Sequence, residues 1–166
     1  LRTLGRALNY NAYGETIDDL HIRPDALYRA MQPFVDPLAF ACASPEFSQL
    51  ERGYREDMAH ADALVPYRNS DAGAVYLLPN APWARRISGT FANRLCDERG
   101  DRSFAVLSER ANGSYCVSIR SAHPEGRPAN VLCEGFEGGG GRRGAAGVNA
   151  LPAASLDAFV DAFFNY

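Results

Sequence analysis

A chain of 166 residues with a hydrophobic fraction of 46% and a charged fraction of 22% has the composition of an ordinary globular protein, and it is long enough for one full core. Its net charge of −3 excludes a global basic field that would attract long nucleic acids. All 17 basic residues are arginines, so the chain has no lysine for Schiff-base chemistry or for a P-loop.

Residues 1–66 are predicted to form a helical segment. Apolar residues at helical spacing open the chain, and the stretch 9–14 interrupts them. A short helix over 24–34 begins with a proline, a residue favoured in the first helical turn. Ser44 and Pro45 then mark the start of a long helix whose apolar stripe continues to the end of the segment. Such a helix is typical of a connection between two lobes, and equally of a plain core helix.

Residues 67–166 alternate between helix and strand. The predicted elements are, in chain order, a strand at 74–78, a helix from Pro82 to Gly100, strands at 103–109 and 114–120, a short helix that Asn130 caps, a strand at 145–149 and a helix from Ala153. Asn112-Gly113 between the two middle strands is a dipeptide typical of a tight hairpin. The predicted fold class is therefore mixed α/β, a sheet of about four or five strands flanked by helices, with an N-terminal helical segment. The predicted domains are 1–66 and 67–166.

The cysteine and histidine patterns indicate a reducing, cytoplasmic setting and no metal site. None of the four cysteines forms a C-x-x-C pair, and their apolar surroundings predict buried, reduced thiols. Asp18 and Asp19 precede His21, a pattern more typical of a solvated turn than of metal ligands. No apolar run is long enough to span a bilayer. No G-x-S-x-G, D-x-D or H-E-x-x-H pattern supplies a nucleophile or a metal-bound water, so no catalytic residue is predicted.

The most informative stretch is a run of four glycines followed by two arginines: Gly138, Gly139, Gly140, Gly141, Arg142 and Arg143. Glycines without Cβ atoms allow a loop to turn several N–H groups toward one anion. Arginine adds a planar fork of donors that matches phosphate or carboxylate. We interpret the stretch as an anion-binding loop, with a flexible surface linker as the alternative.

A second feature lies at the end of the strand predicted over 114–120. Alternation places Ser118 and Arg120 on one face of that strand and Ile119 on the other. An arginine at a strand end close to a glycine-rich turn is suited to complete an anion site through a bidentate contact. The alternative is an ordinary surface arginine or the partner of a nearby carboxylate.

These residues resemble the C-terminal DHH-associated domain of the DHH phosphoesterase superfamily. The resemblance rests on Ser118-Ile119-Arg120-Ser121, on the helix ending in Leu132-Cys133-Glu134-Gly135-Phe136 and on the glycine run, and it covers about residues 70–166. The segment 8–15 is similar to the last part of a DHH domain as it enters the interdomain helix. Because the chain starts at a leucine and its last helix runs to the final residue, we expect a fragment of a longer protein.

The resemblance implies a substrate-binding role. In this superfamily of exonucleases, oligoribonucleases, cyclic-dinucleotide phosphodiesterases and exopolyphosphatases, the DHH domain holds two metal ions, usually manganese, and the associated domain binds the substrate. Arg120 and Ser121 match the strand-end substrate contacts, and the four glycines match the phosphate-binding glycines. The superfamily follows these glycines with histidine and proline, whereas this chain has Arg142 and Arg143. Arg142 keeps an anion contact but cannot exchange a proton near neutral pH.

The resemblance also sets the expected partners. They are a short nucleotide or another small phosphorylated molecule, the DHH domain of the same protein and, in a homodimer, a second copy, with no membrane partner. The D-x-D and D-H-H motifs of the catalytic half are absent from this chain. We therefore expect no cofactor here, with Mn²⁺ in the missing catalytic half, and we predict that residues 1–166 alone hydrolyse no phosphodiester efficiently.

Two other functions fit parts of the sequence. An acyl-CoA-dependent acetyltransferase also places backbone N–H groups against a pyrophosphate. Gly144 and Ala146 match the last two positions of its signature, but Gly141 occupies the first, which requires glutamine or arginine. The other function is a non-enzymatic dimerisation or RNA-contact module, in which the glycine run is only a tight turn. Substitution of Arg120 and Arg142 distinguishes a binding site from such a structural role.

Overall fold

The computed structural model describes all residues, Leu1–Tyr166, and they form two compact units. Unit 1 comprises Leu1–Ala63 and Pro82–Ile87, and unit 2 comprises Leu64–Ala81 and Ser88–Tyr166. None of the helices combines the length and the apolar character needed to cross a bilayer.

Unit 1 is helical. Its elements are α1 (Arg2–Tyr10), a 3-10 turn (Ile17–Asp19), α2 (Pro24–Met31), α3 (Pro37–Ala43), α4 (Pro45–Asp62) and the start of α5 (Pro82–Glu98). Ser44 caps α4 as predicted, because its Oγ accepts the Phe47 N–H at 3.2 Å. The sequence pattern missed α3, a short helix that begins at Pro37 and is capped by the Asp36 carboxylate. The core of this unit contains the buried residues Leu4, Ala7, Ile22, Leu27, Phe40, Phe47 and Leu50.

Unit 2 is built on one mixed sheet. Its further elements are β1 (Arg68–Ser70), β2 (Gly73–Leu78), β3 (Ser103–Glu109), β4 (Tyr115–Arg120), α6 (Ala129–Glu134), β5 (Gly139–Arg142), β6 (Ala145–Leu151), a 3-10 turn (Ala153–Ser155) and α7 (Leu156–Asn165). The strand order is β1-β2-β3-β4-β6-β5; β2 and β3 are parallel, and every other neighbouring pair is antiparallel. The mixed α/β fold class is confirmed. The sheet has six strands rather than four or five, because β1 and β5 were not predicted.

Local signals explain most of the unit 2 elements. The predicted hairpin between β3 and β4 is confirmed: Gly113 has a φ of +78°, and the Asn112 side chain accepts the Ser114 N–H at 3.0 Å. Asn130 does not cap α6. The helix starts earlier, after Pro128, and the Asn130 side chain instead donates to Glu134 within the helix at 3.1 Å.

The core of unit 2 lies on one face of the sheet. Val117 and Ile119 of β4 pack with Ala146 and Val148 of β6 against a helical layer that includes Phe159 of α7. Because side chains alternate along each strand, the neighbouring residues of β4, β6 and β5 face the opposite side. That opposite face carries the candidate site.

The expectation of four buried thiols is wrong. Only Cys133 is buried, and burial raises the pKa of its thiol to about 12. Cys42 is exposed, since it lies on the solvent side of the short helix α3, and Cys96 and Cys116 are half-buried. All four cysteines are free thiols.

Candidate functional site

The glycine run forms an edge strand rather than an open loop. Gly139 to Arg142 constitute β5, which pairs antiparallel with β6, and Gly140 lies directly opposite Gly147. Arg143 and Gly144 form the tight turn between the two strands. The loop conformation expected from the sequence is therefore wrong, because β6 provides a pairing partner for the glycine backbone. Phosphate binding by these glycines stays a prediction.

The four glycines have different structural roles. A Cβ atom on Gly139 would lie 1.8 Å from the Cys133 carbonyl oxygen, and one on Gly141 would lie 2.5 Å from the Ala146 Cα. Gly138 has a φ of +72° and Gly141 a φ of +141°, which favour glycine. A Cβ on Gly140 would meet no atom within 4 Å. Gly140 is thus the one glycine of the run that neither a close contact nor a positive φ requires.

Two cross-strand rows form the candidate site. Strand register places Arg120, Ala145 and Arg142 side by side on β4, β6 and β5, and it places Ser118, Gly147 and Gly140 in the adjacent row. Residues directly opposite one another in antiparallel strands share a face. Strands lie about 4.8 Å apart, so the backbones of Arg120 and Arg142 are roughly 10 Å apart. We call this area, formed by Ser118, Arg120, Gly140, Arg142, Ala145 and Gly147, the glycine patch.

The polar side chains of the glycine patch use only some of their hydrogen-bond donors within the fold. Arg120 is half-buried; its Nε donates to Asn93 Oδ1 at 2.5 Å and its Nη1 to the Ile119 carbonyl at 2.8 Å. Arg142 is exposed, and its guanidinium makes no hydrogen bond or ion pair. The hydroxyl of Ser118 also makes no hydrogen bond. Arg142 and Ser118 therefore present unused donors beside a floor without bulky side chains.

Ser121, which the sequence placed in the site, instead holds the following loop. It is buried, its Oγ donates to the Arg127 carbonyl at 2.6 Å, and the same oxygen accepts the His123 N–H at 3.2 Å. The structure thus gives Ser121 a role in the fold rather than a place on the glycine patch.

Arg143 is likewise engaged by the fold. Its Nε donates to the Pro124 carbonyl at 3.2 Å, and its Nη2 donates to the carbonyl and carboxylate oxygens of Glu125, both at 3.0 Å. Of the predicted site residues, the structure brings together Arg120, Gly140 and Arg142 on one face.

Comparison with known proteins identifies solved structures that share the fold of this chain. No family model and no curated protein matches the chain. RecJ from Thermus thermophilus, solved in complex with Mn²⁺, matches 97% of this chain with a TM-score of 0.63 and 21% identity. An exopolyphosphatase-related protein from Bacteroides fragilis matches 78% of it with a TM-score of 0.53 and 17% identity. The DHH domain of a protein from a family of ribosomal proteins matches 99% with a TM-score of 0.61 and 8% identity.

The chain shares its fold with parts of RecJ, the exopolyphosphatase-related protein and the DHH domain. The resemblance stated from the sequence is thereby confirmed at the level of fold. The chain spans 23% of the length of RecJ and 41% of the length of each of the other two proteins.

The residues of this chain do not fit a metal centre. RecJ has been solved with Mn²⁺ and with Mg²⁺. In the present chain, no group of three or more His, Cys, Asp or Glu side chains could hold an ion. Its two buried aspartates, Asp19 and Asp57, are both engaged by arginines. No catalytic step through a metal is therefore assigned to these residues.

Unit 1 contains a buried polar cluster that sequence reasoning missed. Arg86 binds Asp57 with two hydrogen bonds, Nε to Oδ2 at 2.7 Å and Nη2 to Oδ1 at 3.0 Å. The Tyr10 hydroxyl donates to Asp57 and lies 2.7 Å from His21 Nε2. These four residues are far apart in sequence, so no local spacing indicates their contact. We call them the Asp57 cluster.

Asp19 is buried and pairs with the half-buried Arg85, so the interpretation of its segment as a solvated turn is wrong. Its carboxylate accepts two hydrogen bonds from Arg85, from Nε at 2.8 Å and from Nη2 at 2.5 Å. The same carboxylate accepts the backbone N–H groups of Glu15 and Thr16 at 2.7 and 3.2 Å. Asp18, in contrast, is exposed.

Acid is expected to destabilise unit 1. The hydrogen bond from Arg85 lowers the pKa of Asp19 to about 2. Burial raises the pKa of Asp57, but the hydrogen bonds from His21, Arg86 and Tyr10 outweigh it and lower the value to about 2. Both ordinary values are 3.8, so the unfolded chain binds these protons more readily. Each carboxylate therefore stabilises the fold above the ordinary pKa of 3.8. As the pH falls toward about 2, the free energy of unfolding decreases by roughly 2 kcal/mol for each of the two groups.

Urea unfolding followed by circular dichroism at several pH values between about 5 and about 2.5 tests this expectation. The free energy of unfolding should fall across this range. A constant value would contradict the assigned pKa shifts.

Proposed function

We propose that residues 67–166 are the substrate-binding domain of a metal-dependent DHH-type phosphohydrolase, and that the glycine patch binds a phosphate group of a short nucleotide or a similar small phosphorylated molecule. The observation that carries this proposal is the exposed, unpartnered guanidinium of Arg142 in the same cross-strand row as Arg120. Only Ala145 lies between them in that row, and the adjacent row adds Gly140 and Gly147.

Phosphate is the ligand that suits this arrangement. A guanidinium offers parallel donors at the spacing of two phosphate oxygens. The two guanidiniums of Arg120 and Arg142, approaching from opposite sides, would neutralise the charge of a phosphate dianion. The absence of bulky side chains lets the ligand approach the sheet backbone closely. The Ser118 hydroxyl supplies a further donor in the adjacent row.

The size of the ligand follows from the charge. The chain carries a net charge of −3, which does not favour binding of a long, polyanionic phosphate backbone. A ligand with one or two phosphates needs only the two arginines of the patch. We therefore favour a dinucleotide-sized substrate over long duplex DNA.

In this proposal the domain binds, and it does not activate water. Its role is to hold one phosphate so that the scissile bond reaches the catalytic half, where a divalent ion, expected to be Mn²⁺, supplies the activated water when bound. The DHH domain of the same protein is the partner that completes the enzyme. The setting we propose is cytoplasmic, and a homodimer is compatible with it.

Arg142→Gln tests the proposal. The substitution removes one charged donor from the patch, so it should weaken the binding of a 5′-phosphorylated dinucleotide by roughly tenfold or more. Arg143→Gln is the matched control, because it removes the same charge from the adjacent residue, whose side chain is held by Pro124 and Glu125. Isothermal titration calorimetry of both variants and of the unmodified chain gives the dissociation constants.

The ligand panel for this titration separates the competing functions. It contains the dinucleotide, a mononucleotide, pyrophosphate and acetyl-CoA. Equal losses in the two variants would contradict a site built on the face of Arg142. Binding of acetyl-CoA alone would favour the acetyltransferase, and no effect of either Arg142→Gln or Arg120→Ala would favour a structural role for the glycine run.

A further inference from the structure

Unit 2 contains a cavity of about 220 Å³ that is not part of the glycine patch. It lies between the last turn of α5 and strands β1, β2 and β3. The rings of Tyr76 and Phe104 contribute its aromatic surface, and Leu95 and Pro66 add apolar side walls. Tyr76 packs edge-on against Phe91, with ring centroids 5.2 Å apart, which fixes the plane of its ring. We call this space the Arg102 cavity.

Arg102 is held rigidly in this cavity. Its Nη2 donates to Asn69 Oδ1, to the Ser70 carbonyl and, at 3.1 Å, to the Gly73 carbonyl. The guanidinium also lies 5.8 Å from the centroid of the Phe104 ring. Its Nη1 makes no hydrogen bond. An arginine already fixed by the fold loses little side-chain entropy when it binds a ligand.

The cavity has more donors than acceptors. Arg99 is exposed and its side chain makes no hydrogen bond or ion pair, and the Tyr76 hydroxyl has no hydrogen-bond partner. Glu98 is the one carboxylate in the lining; its side chain is exposed, and its Oε1 lies 3.7 Å from Arg94 Nε. The lining thus carries two arginines, Arg99 and Arg102, and one carboxylate, which already pairs with Arg94. Its net charge is therefore positive. Unused donors and positive charge favour an anion.

The cavity is also separate from the glycine patch. One cross-strand row runs Asn69, Ala74, Phe104, Arg120, Ala145, Arg142 across the whole sheet. Asn69 borders the Arg102 cavity and Arg142 lies in the glycine patch, at opposite ends of this row. Five strand spacings separate these two residues, which is about 24 Å.

We propose that the Arg102 cavity binds a mononucleotide, with the base against Tyr76 and the phosphate between Arg99 and Arg102. The aromatic surface accounts for the base, because every nucleobase has a face that stacks on or packs against an aromatic ring. The two guanidiniums account for the phosphate. The volume is below the roughly 300–1,000 Å³ of drug-sized sites, so the ligand is limited to one base with its phosphate, part of it exposed.

Residue-resolved NMR of the ¹⁵N-labelled chain tests this site. AMP should shift the amide signals of Asn69 and Gly73 and the Nε–H signal of Arg102. Adenosine and inorganic phosphate, the two halves of the ligand, should each produce these shifts only at higher concentration. Arg99→Gln should weaken AMP binding at these signals by about tenfold, since it removes one charged donor. Because Arg99 is exposed and has no partner, this variant keeps the fold.

Arg142→Gln separates this proposal from the proposed function. It should leave the AMP-dependent shifts of Asn69 and Gly73 unchanged, whereas any shifts at Gly140 and Gly147 should appear only at an AMP concentration about tenfold higher or more. Tyr76→Leu is a second variant, expected to weaken AMP binding and to leave the response to inorganic phosphate unchanged. AMP shifts confined to the glycine patch, or shifts at Asn69 and Gly73 that survive Arg99→Gln unchanged, would overturn the Arg102 cavity as a nucleotide site.

Discussion

Asp57→Ala is expected to lower the free energy of unfolding of unit 1 by roughly 3–5 kcal/mol, the cost of leaving a buried charge without its partner. Asp57 is 4% exposed and Arg86 is 9% exposed, so water does not replace the lost carboxylate. The Tyr10 hydroxyl loses its hydrogen bond to Asp57 in the same variant. Urea unfolding of the variant and of the unmodified chain measures the difference.

Two controls show that this effect comes from the buried pair. Asp25→Ala removes a carboxylate that pairs with Arg23 and Arg29 at the surface, and it should change the free energy of unfolding by less than about 1 kcal/mol. Asp57→Leu combined with Arg86→Met replaces both charges, so it should recover much of the loss. A double variant no more stable than Asp57→Ala would show that the destabilisation arises from something other than the unpaired guanidinium.

Gly139→Ala is expected to destabilise unit 2 by about 3 kcal/mol, because the new methyl group would lie 1.8 Å from the Cys133 carbonyl oxygen. That oxygen belongs to the backbone of α6, so the contact cannot be relieved by rotating a side chain. Either β5 or the end of α6 must move. Chemical denaturation measures the loss, and hydrogen exchange locates it in β5 and α6.

Gly140→Ala is the matched control for this variant. Its methyl group would meet nothing within 4 Å, so the free energy of unfolding should stay within about 0.5 kcal/mol of the unmodified value. Gly140 lies in the glycine patch, so this stable variant can also be used to measure how a methyl group there affects phosphate binding. If Gly139→Ala proves as stable as Gly140→Ala, the close approach of β5 to α6 is wrong.

Much of the fold is predictable because its signals are local. Pro24 and Pro45 mark helix starts that the structure confirms, and Asn112-Gly113 marks the observed hairpin. Such signals act within a few residues, where a fixed φ or a capping oxygen decides the conformation. The resemblance to DHH proteins rested on the segment 118–121, the helix ending at 132–136 and the glycine run, and the fold agrees with it.

The glycine strand and the Asp57 cluster were not predictable in the same way. A run of glycines has no side-chain periodicity, so the sequence does not distinguish a loop from a strand. The strand β5 forms because its backbone pairs with that of β6. Tyr10 and Arg86 meet across 76 positions in sequence, and only the tertiary fold brings them together. The alignment of Arg142 with Arg120 likewise depends on strand register, which the sequence does not reveal.

The exposure of Arg142 also affects how this protein can diverge. Its side chain makes no hydrogen bond or ion pair with the fold, while the backbone pairing of β5 with β6 fixes the position of the residue. Exchange of this one residue therefore alters the charge and reach offered to a ligand at almost no cost in folding free energy. Under the proposed function, a single substitution at this position would therefore change the ligand preference and leave the backbone unchanged, whereas the neighbouring Gly139 and Gly141 are constrained by the atoms packed against them.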